Sequence, residues 1–274
     1  EDTLNFLPKM DAEPSGYDYQ NHIISGVSDE AKIKLPQADR IGNTYVELLS
    51  ASIGNGSANF PQDNDGVIRR APTAIYFEGA DHVYPSLVMS AVIDILGIKK
   101  NGGFDYDFEN KTLNLIDTTN TVVRQIPIDD NGRMYVNYYG QFQTFYYLPY
   151  SYCMDPEMLP PDYWQDKVAL VGASLPGLMD LRNTPVQETF AGVEIHANVM
   201  HSILQNNFVE VKDPSSTFYT ILFICLVMGI TISFPKKPFY ALPLPILGIV
   251  GWIIYANLQF INQLTMIEVV RPIM

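Results

Sequence analysis

Two apolar runs near the C-terminal end constrain this chain more than any other feature. Residues Phe218 to Phe234 carry no charge, and neither do Phe239 to Leu258. Each has about the 17–25 residues that a helix needs to cross ~30 Å of hydrocarbon. Only Pro235-Lys236-Lys237-Pro238 separates them. So short a link makes the two helices antiparallel neighbours. Both of its charges are lysines, and the positive-inside rule puts such a loop in the cytoplasm. The long segment before the first run then lies outside. Pro243 and Pro245 are expected to bend or unwind the second helix near its start. Pro272 opens a candidate third span after an external stretch, Gln259 to Val270.

Charge divides the chain at the same place. Residues 1–215 hold 14 of the 17 Lys and Arg and 29 of the 30 Asp and Glu, which leaves −15 there and +2 on the remainder. The expected organisation is therefore an acidic extracytoplasmic body over 1–215, a transmembrane hairpin over 216–258, and an external loop with the start of a third helix over 259–274. The acidic body lacks the clustered cations that phosphate binding needs, so nucleic acid is not an expected partner. It also repels anionic headgroups, which leaves membrane attachment to the tail. Cys153 and Cys225 fall in different parts, so no internal disulfide and no zinc site is expected. A start at Glu1 and an end at Met274, without initiator or obvious terminus, read as a fragment with material missing at both ends.

Periodicity in the body points to α/β. Tyr84 to Gly97 has helical spacing, with Leu87, Val88, Ala91, Val92 and Ile95 on one face and Gly97 as the stop. Asn21 to Val27 reads as a short strand. Thr112 to Ile116 and Val122 to Ile128 alternate around Asp117-Thr118-Thr119-Asn120 and read as a hairpin. Asp129-Asp130-Asn131-Gly132 is a second turn. Lys167-Val168-Ala169-Leu170-Val171-Gly172 is a continuous apolar run of the kind buried in a parallel sheet. A helix is predicted from Gly192 to Leu204. The expected fold is an α/β extracytoplasmic domain, a mostly parallel sheet with an inserted hairpin, followed by an α-helical transmembrane hairpin.

Several constellations are candidates for chemistry. Asp63-Asn64-Asp65-Gly66 begins like a calcium loop but lacks the later acidic ligands; a tight turn is the alternative. The following Arg69 and Arg70 either pair with nearby carboxylates or receive an anionic ligand. Gly172 and Ser174 sit where a strand would end, in a loop able to present N–H groups to an anion, although there is no Walker lysine and no complete GxGxxG. Asp180, Asn183 and Thr184 form a polar loop before the last helix of the body, able to cap it or line a pocket. On that helix Glu194 and Asn198 share a face; His196 and His201 are five apart, poor spacing for one metal. No Ser/His/Asp or Cys/His set stands out. Catalytic and metal-binding residues are therefore expected to be absent, and so is a cofactor. The candidate ligand-binding set is Gly172, Ser174, Asp180, Asn183, Thr184, Arg69, Arg70, Glu194 and His196.

These stretches, taken in order, resemble a known family. Asn59-Phe60-Pro61 through Asp65 to Pro72, Tyr84-Pro85-Ser86-Leu87, Asn137-Tyr138-Tyr139-Gly140, Lys167 to Ala173, Asp180 to Pro185 and Gly192 to Asn198 look like the type-two extracellular sensory domain associated with cyclases and histidine kinases (CHASE). The resemblance covers about residues 23 to 208, and the apolar tail fits the family's usual three membrane helices. It implies a multi-pass bacterial inner-membrane receptor with its large domain in the periplasm or outside the cell. Its output would be a cytoplasmic adenylate or diguanylate cyclase or a protein kinase, its ligand an unknown molecule or protein, and its active form a homodimer. The family's opening strands and first anchor are not found in this sequence, and the resemblance supplies no catalytic residues. The competing reading is a structural or partner-docking envelope protein without enzymatic output; the tyrosines between Tyr138 and Tyr150 suit such an interface equally well as a core.

Overall fold

The computed structural model describes residues 9–10, 23–42, 48, 51–155, 157–174, 180–211, 218–219, 222, 225–226, 229 and 243–267. The chain divides into two compact units, Glu1–Phe208 and Val209–Met274.

The strands of the first unit are short. In chain order they begin with β1 (Lys9–Met10), α1 (Asp29–Lys34), β2 (Gln37–Ala38) and β3 (Ile41–Gly42). Then come β4 (Arg70–Pro72), β5 (Ala74–Phe77), β6 (His82–Pro85) and α2 (Leu87–Leu96). A three-stranded antiparallel meander follows, β7 (Phe104–Asp107), β8 (Thr112–Ile116) and β9 (Val122–Pro127). β10 (Arg133–Tyr135) returns to pair with β4, and α3 (Tyr150–Met154) lies in a long irregular segment. A hairpin of β11 (Leu181–Arg182) and β12 (Phe190–Ala191) leads directly into α4 (Gly192–Leu204).

The predicted hairpin is present, and its turn chemistry explains the register. Asp117 Oδ1 accepts the N–H groups of Thr119 and Thr121, each at 2.9 Å, while Asn120 takes the left-handed conformation at φ 68°. The second turn closes in the same way, with Gly132 at φ 67° donating to the Asp129 carbonyl at 3.0 Å. A side-chain Cβ at Gly132 would also stand 2.6 Å from Leu35 Cδ2. β7 alternates aromatic and acidic residues, Phe104-Asp105-Tyr106-Asp107, and is a strand absent from the predicted elements. Ile24 and Ser25, from the predicted first strand, make isolated bridges to Val83 and Asn101.

Three expectations are corrected. The helix predicted from Tyr84 starts at Leu87, because Tyr84 and Pro85 complete β6 and Ser86 caps the helix, its Oγ accepting the Met89 N–H at 3.3 Å. Its inward face is Val88, Met89, Val92 and Ile93, whereas Leu87 and Ile95 are 39% and 46% exposed. The mostly parallel sheet is not found among the described residues: β2 with β5, and Glu210–Val211 with Thr265–Met266, pair in parallel, and the other strand pairs are antiparallel. The physical reason lies at Lys167–Gly172. That run forms no strand, and Val168 and Val171 are 49% and 82% exposed, so the chain that was expected to centre a parallel sheet pairs with nothing among the described residues.

The core of this unit sits where α2 packs on α4 and both meet the meander. Met89, Leu113, Leu115, Ile126, Ile195 and Ile203 are all at or below 1% exposure. Arg124 of β9 fixes the far end of α4: Nε donates to the Ile203 carbonyl at 2.7 Å and Nη2 to that of Leu204 at 2.9 Å. A cation there satisfies orphan carbonyls and complements the negative helix end.

In the second unit, β13 (Glu210–Val211) is followed by the first apolar run. Phe218, Tyr219, Leu222, Cys225, Leu226 and Gly229 are helical, and the rest of that run, with the Lys236-Lys237 link, lies outside the described residues. α5 (Pro243–Gln263) is the second apolar helix, and it contains the 246–263 segment that is long and apolar enough to cross a membrane. The two prolines fall in its first turn, where a missing N–H costs nothing. Leu264 stops it at φ 50°, and β14 (Thr265–Met266) then pairs in parallel with β13.

Candidate functional site

Of the candidate residues, Gly172 and Asp180 meet the first turn of α4 and Glu194 and His196 lie on two of its faces, whereas Asn183, Thr184, Arg69 and Arg70 pair elsewhere. Gly192 opens the helix because nothing larger fits: a Cβ there would stand 2.6 Å from Asp180 Oδ2 and still closer to Oδ1. The Gly192 N–H donates to the Asp180 carbonyl at 2.9 Å, and Arg182 Nε is 3.5 Å from Asp180 Oδ1. Gly172 approaches the same turn, where a Cβ would meet Val193 Cβ at 2.6 Å. Asp180 and Gly172 thus end beside adjacent residues of one helical turn. Ser174 follows Gly172, half-buried, and residues 175–179 lie outside the described chain.

Asn183 and Thr184 serve the loop itself. The Asn183 carbonyl accepts the Ile68 N–H at 2.8 Å, which ties this loop to the segment leading into β4. Thr184 is buried, and its Oγ1 donates to the Gln187 carbonyl at 2.8 Å while accepting the Gln187 N–H at 3.2 Å.

Glu194 and His196 point to opposite sides of α4. Glu194 is only 2% exposed, and no cation among the described residues pairs with it. Its charge is met by uncharged donors instead. Oε1 accepts the N–H groups of Thr144 (2.9 Å) and Phe145 (3.4 Å), and Oε2 accepts the Gln143 N–H and the Tyr147 hydroxyl, both at 2.9 Å. Burial of an ionised carboxylate is tolerable only with such compensation. One turn further, Asn198 Oδ1 accepts the Tyr139 N–H at 2.9 Å, while Gln187 Oε1 takes the Phe142 N–H at 3.1 Å. Burial drives the Tyr147 phenol well above its usual range, reinforced by the Glu194 carboxylate.

His196 packs against Phe60, ring centroids 4.4 Å apart, and Nδ1 has no hydrogen-bond partner among the described residues. Burial pushes its pKa down to about 4, against an opposing hydrogen bond to the Ala58 backbone. The imidazole is therefore neutral at physiological pH.

Arg69 and Arg70 are engaged with carboxylates. Arg69 grips Asp65 in a two-pronged pair at 2.8 and 2.9 Å and reaches Asp63 at 3.3 Å. Arg70 binds Asp63 through Nε and Nη2 and Asp129 through Nη1 at 2.9 Å; Arg133 completes the network on Asp129 at 2.8 Å. The Arg69 hydrogen bonds hold the Asp65 carboxyl down at about 2. The calcium-like Asp63–Gly66 segment is thus a turn whose carboxylates are spent on arginines, and no acidic, histidine or cysteine cluster able to hold a metal occurs among the described residues.

With this geometry in hand, the comparison with known families is decisive. The family model described as the CHASE2 domain matches residues 10–231. The chain belongs to the CHASE2 family. CHASE2 is an extracellular sensory domain of signalling receptors. No curated protein and no solved structure matches the chain.

Within the CHASE2 match, the first turn of α4 gathers Gly172 and Asp180, while Asn183 joins the loop to the Arg69–Arg70 turn. Gln187, which accepts the Phe142 N–H, and Tyr147, which donates to Glu194, were not among the candidates, and Asn198 was noted only for its face. Their donors and acceptors pair largely with backbone groups, and backbone partners leave no mark in a residue pattern.

Proposed function

We propose that this chain is the sensory and membrane portion of a transmembrane signalling receptor. A ligand or protein outside the cytoplasm biases the CHASE2 body, and membrane helices relay that bias to a cytoplasmic output enzyme, a nucleotide cyclase or a protein kinase. The receptor sits in a bacterial inner membrane and works as a homodimer.

One observation carries the membrane half of this reading. β13 precedes the first apolar run and β14 follows α5, yet the two are neighbours in parallel register, Glu210 with Thr265 and Val211 with Met266. The Glu210 N–H donates to the Leu264 carbonyl at 3.1 Å. Paired strands lie about 4.8 Å apart, whereas the faces of a bilayer core are ~30 Å apart. If α5 crosses a membrane, residues 211 and 265 share a side, and the crossings between them are even in number. The uncharged run Phe218–Phe234 supplies the second. Parallel pairing also sends the chain after Met266 in the same direction as the chain entering the first run, which fits a third crossing.

The ligand region we assign to the first turn of α4, with Asp180 at its edge. Asp180→Ala is expected to leave folding intact and weaken the response; normal signalling by the folded variant removes that turn from consideration. The receptor reading itself is tested by the mass of the native polypeptide in its own membrane. A chain far heavier than 30.8 kDa has room for the output enzyme, whereas one only modestly heavier has none and favours an envelope docking protein.

A further inference from the structure

The segment after β10 is fastened to the body in an unusual way. From Tyr139 to Tyr147 it forms neither helix nor strand, and its backbone donors are met by side chains of α4 and of the loop before it. Five of its N–H groups, those of Tyr139, Phe142, Gln143, Thr144 and Phe145, go to Asn198, Gln187 and Glu194; three of the five reach Glu194, and that of Thr144 is shared with the Gln141 carbonyl at 3.1 Å. Its side chains lie over the same face: Tyr139 and Phe145 contact the His201 ring at centroid distances of 4.6 and 5.8 Å, and Phe142 meets Phe190 at 6.5 Å. Within it Tyr146 is 81% exposed, and beyond it Tyr150 is 65% exposed.

A segment held by one carboxylate differs from a strand held by a ladder. Ladder bonds break singly at an end, whereas donors that share an acceptor lose it together. Water is a good replacement partner for both the carboxylate and the freed amides, so the open form costs little beyond the aromatic contacts. The meander and the α2–α4 core use none of these bonds.

We propose that Tyr139–Tyr147 is a strap that opens from α4 as one unit while the rest of the body stays closed, with Glu194 as its latch. Opening uncovers Glu194, Asn198 and His201 along one side of α4. This device operates whatever the body senses.

Hydrogen exchange on the full chain in detergent or nanodiscs tests it. In the unaltered protein the amides of Gln143, Thr144 and Phe145 should share one protection level, below that of the β8 amides. Glu194→Gln puts an NH2 group among donors that need an acceptor, and should speed exchange at these three amides at least about tenfold, with β8 unchanged. Tyr147→Phe removes one latch donor from the half-buried rim, and should shift the same amides in the same direction by less. It decides the matter alone if Glu194→Gln does not fold. Unchanged exchange at the three amides, or an equal rise throughout β8 and α2, overturns the proposal.

Discussion

An ionisable group is held in one protonation state by what surrounds it, and two cases here, one buried and one ion-paired, both lose stability as pH falls. His196 has its pKa lowered to about 4 by burial. The unfolded chain, with an ordinary histidine near 6.5, binds the proton first, so stability falls as pH drops from about 6.5 to 4. The loss is on the order of 3 kcal/mol at the acid end. His196→Leu removes the titrating group; denaturant midpoints measured from pH 7 to 4 should fall less steeply than in the unaltered protein. The Asp65 carboxyl is also held down, chiefly by its hydrogen bonds to Arg69, so its contribution is complete above about 3.8 and is lost as pH falls to about 2. Asp129 is the more consequential carboxylate. Burial would raise its pKa, but the Arg133 and Asn131 N–H groups and the Arg133 guanidinium lower it on balance. Asp129→Ala leaves Arg70 and Arg133 short of a partner in a half-buried site and unties the turn. We expect a loss of about 2–3 kcal/mol in a denaturant titration.

At the scale of elements, α4 is where the body is organised. Its first turn is set by Asp180 and Gly172, one face by the 139–147 segment, and its end by Arg124. Arg124→Ala should cost about 1–2 kcal/mol, and its signature should be faster amide exchange in the last turn of α4 before any other helix. This helix was legible from sequence, because Gly192 and the apolar spacing after it are local signals. So were the hairpin and its Asp117 turn. What sequence could not supply was pairing. Lys167–Gly172 has the composition of a buried parallel strand, yet composition reports only what a segment tolerates, and here it pairs with no described strand. Leu87 and Ile95 show the same limit on a helix, since two registers of one apolar stripe differ only by which neighbours arrive. Pairing with nearby carboxylates was the commoner reading for Arg69 and Arg70, and Asp63 and Asp65 supply it; what the sequence did not show was Asp129, distant in the chain, as a further partner of Arg70.

For the whole molecule, the central claim is that a CHASE2 body outside the cytoplasm continues into a membrane hairpin whose two outer ends lie side by side. The parallel pairing of β13 with β14 supports it: if α5 crosses a membrane, Val211 and Thr265 lie on the same side. Cys153 is exposed on the body and is a native reporter for the outside. In a Cys225→Ser background, Lys236→Cys reports the link between the helices, and Thr265→Cys reports the far end of α5. The most direct measurement is labelling of intact and permeabilised cells with a membrane-impermeant maleimide. Cys153 and Thr265→Cys should react in intact cells, and Lys236→Cys only after permeabilisation. Reaction of Lys236→Cys in intact cells, or protection of Thr265→Cys while Cys153 reacts, would contradict the hairpin and with it the receptor topology.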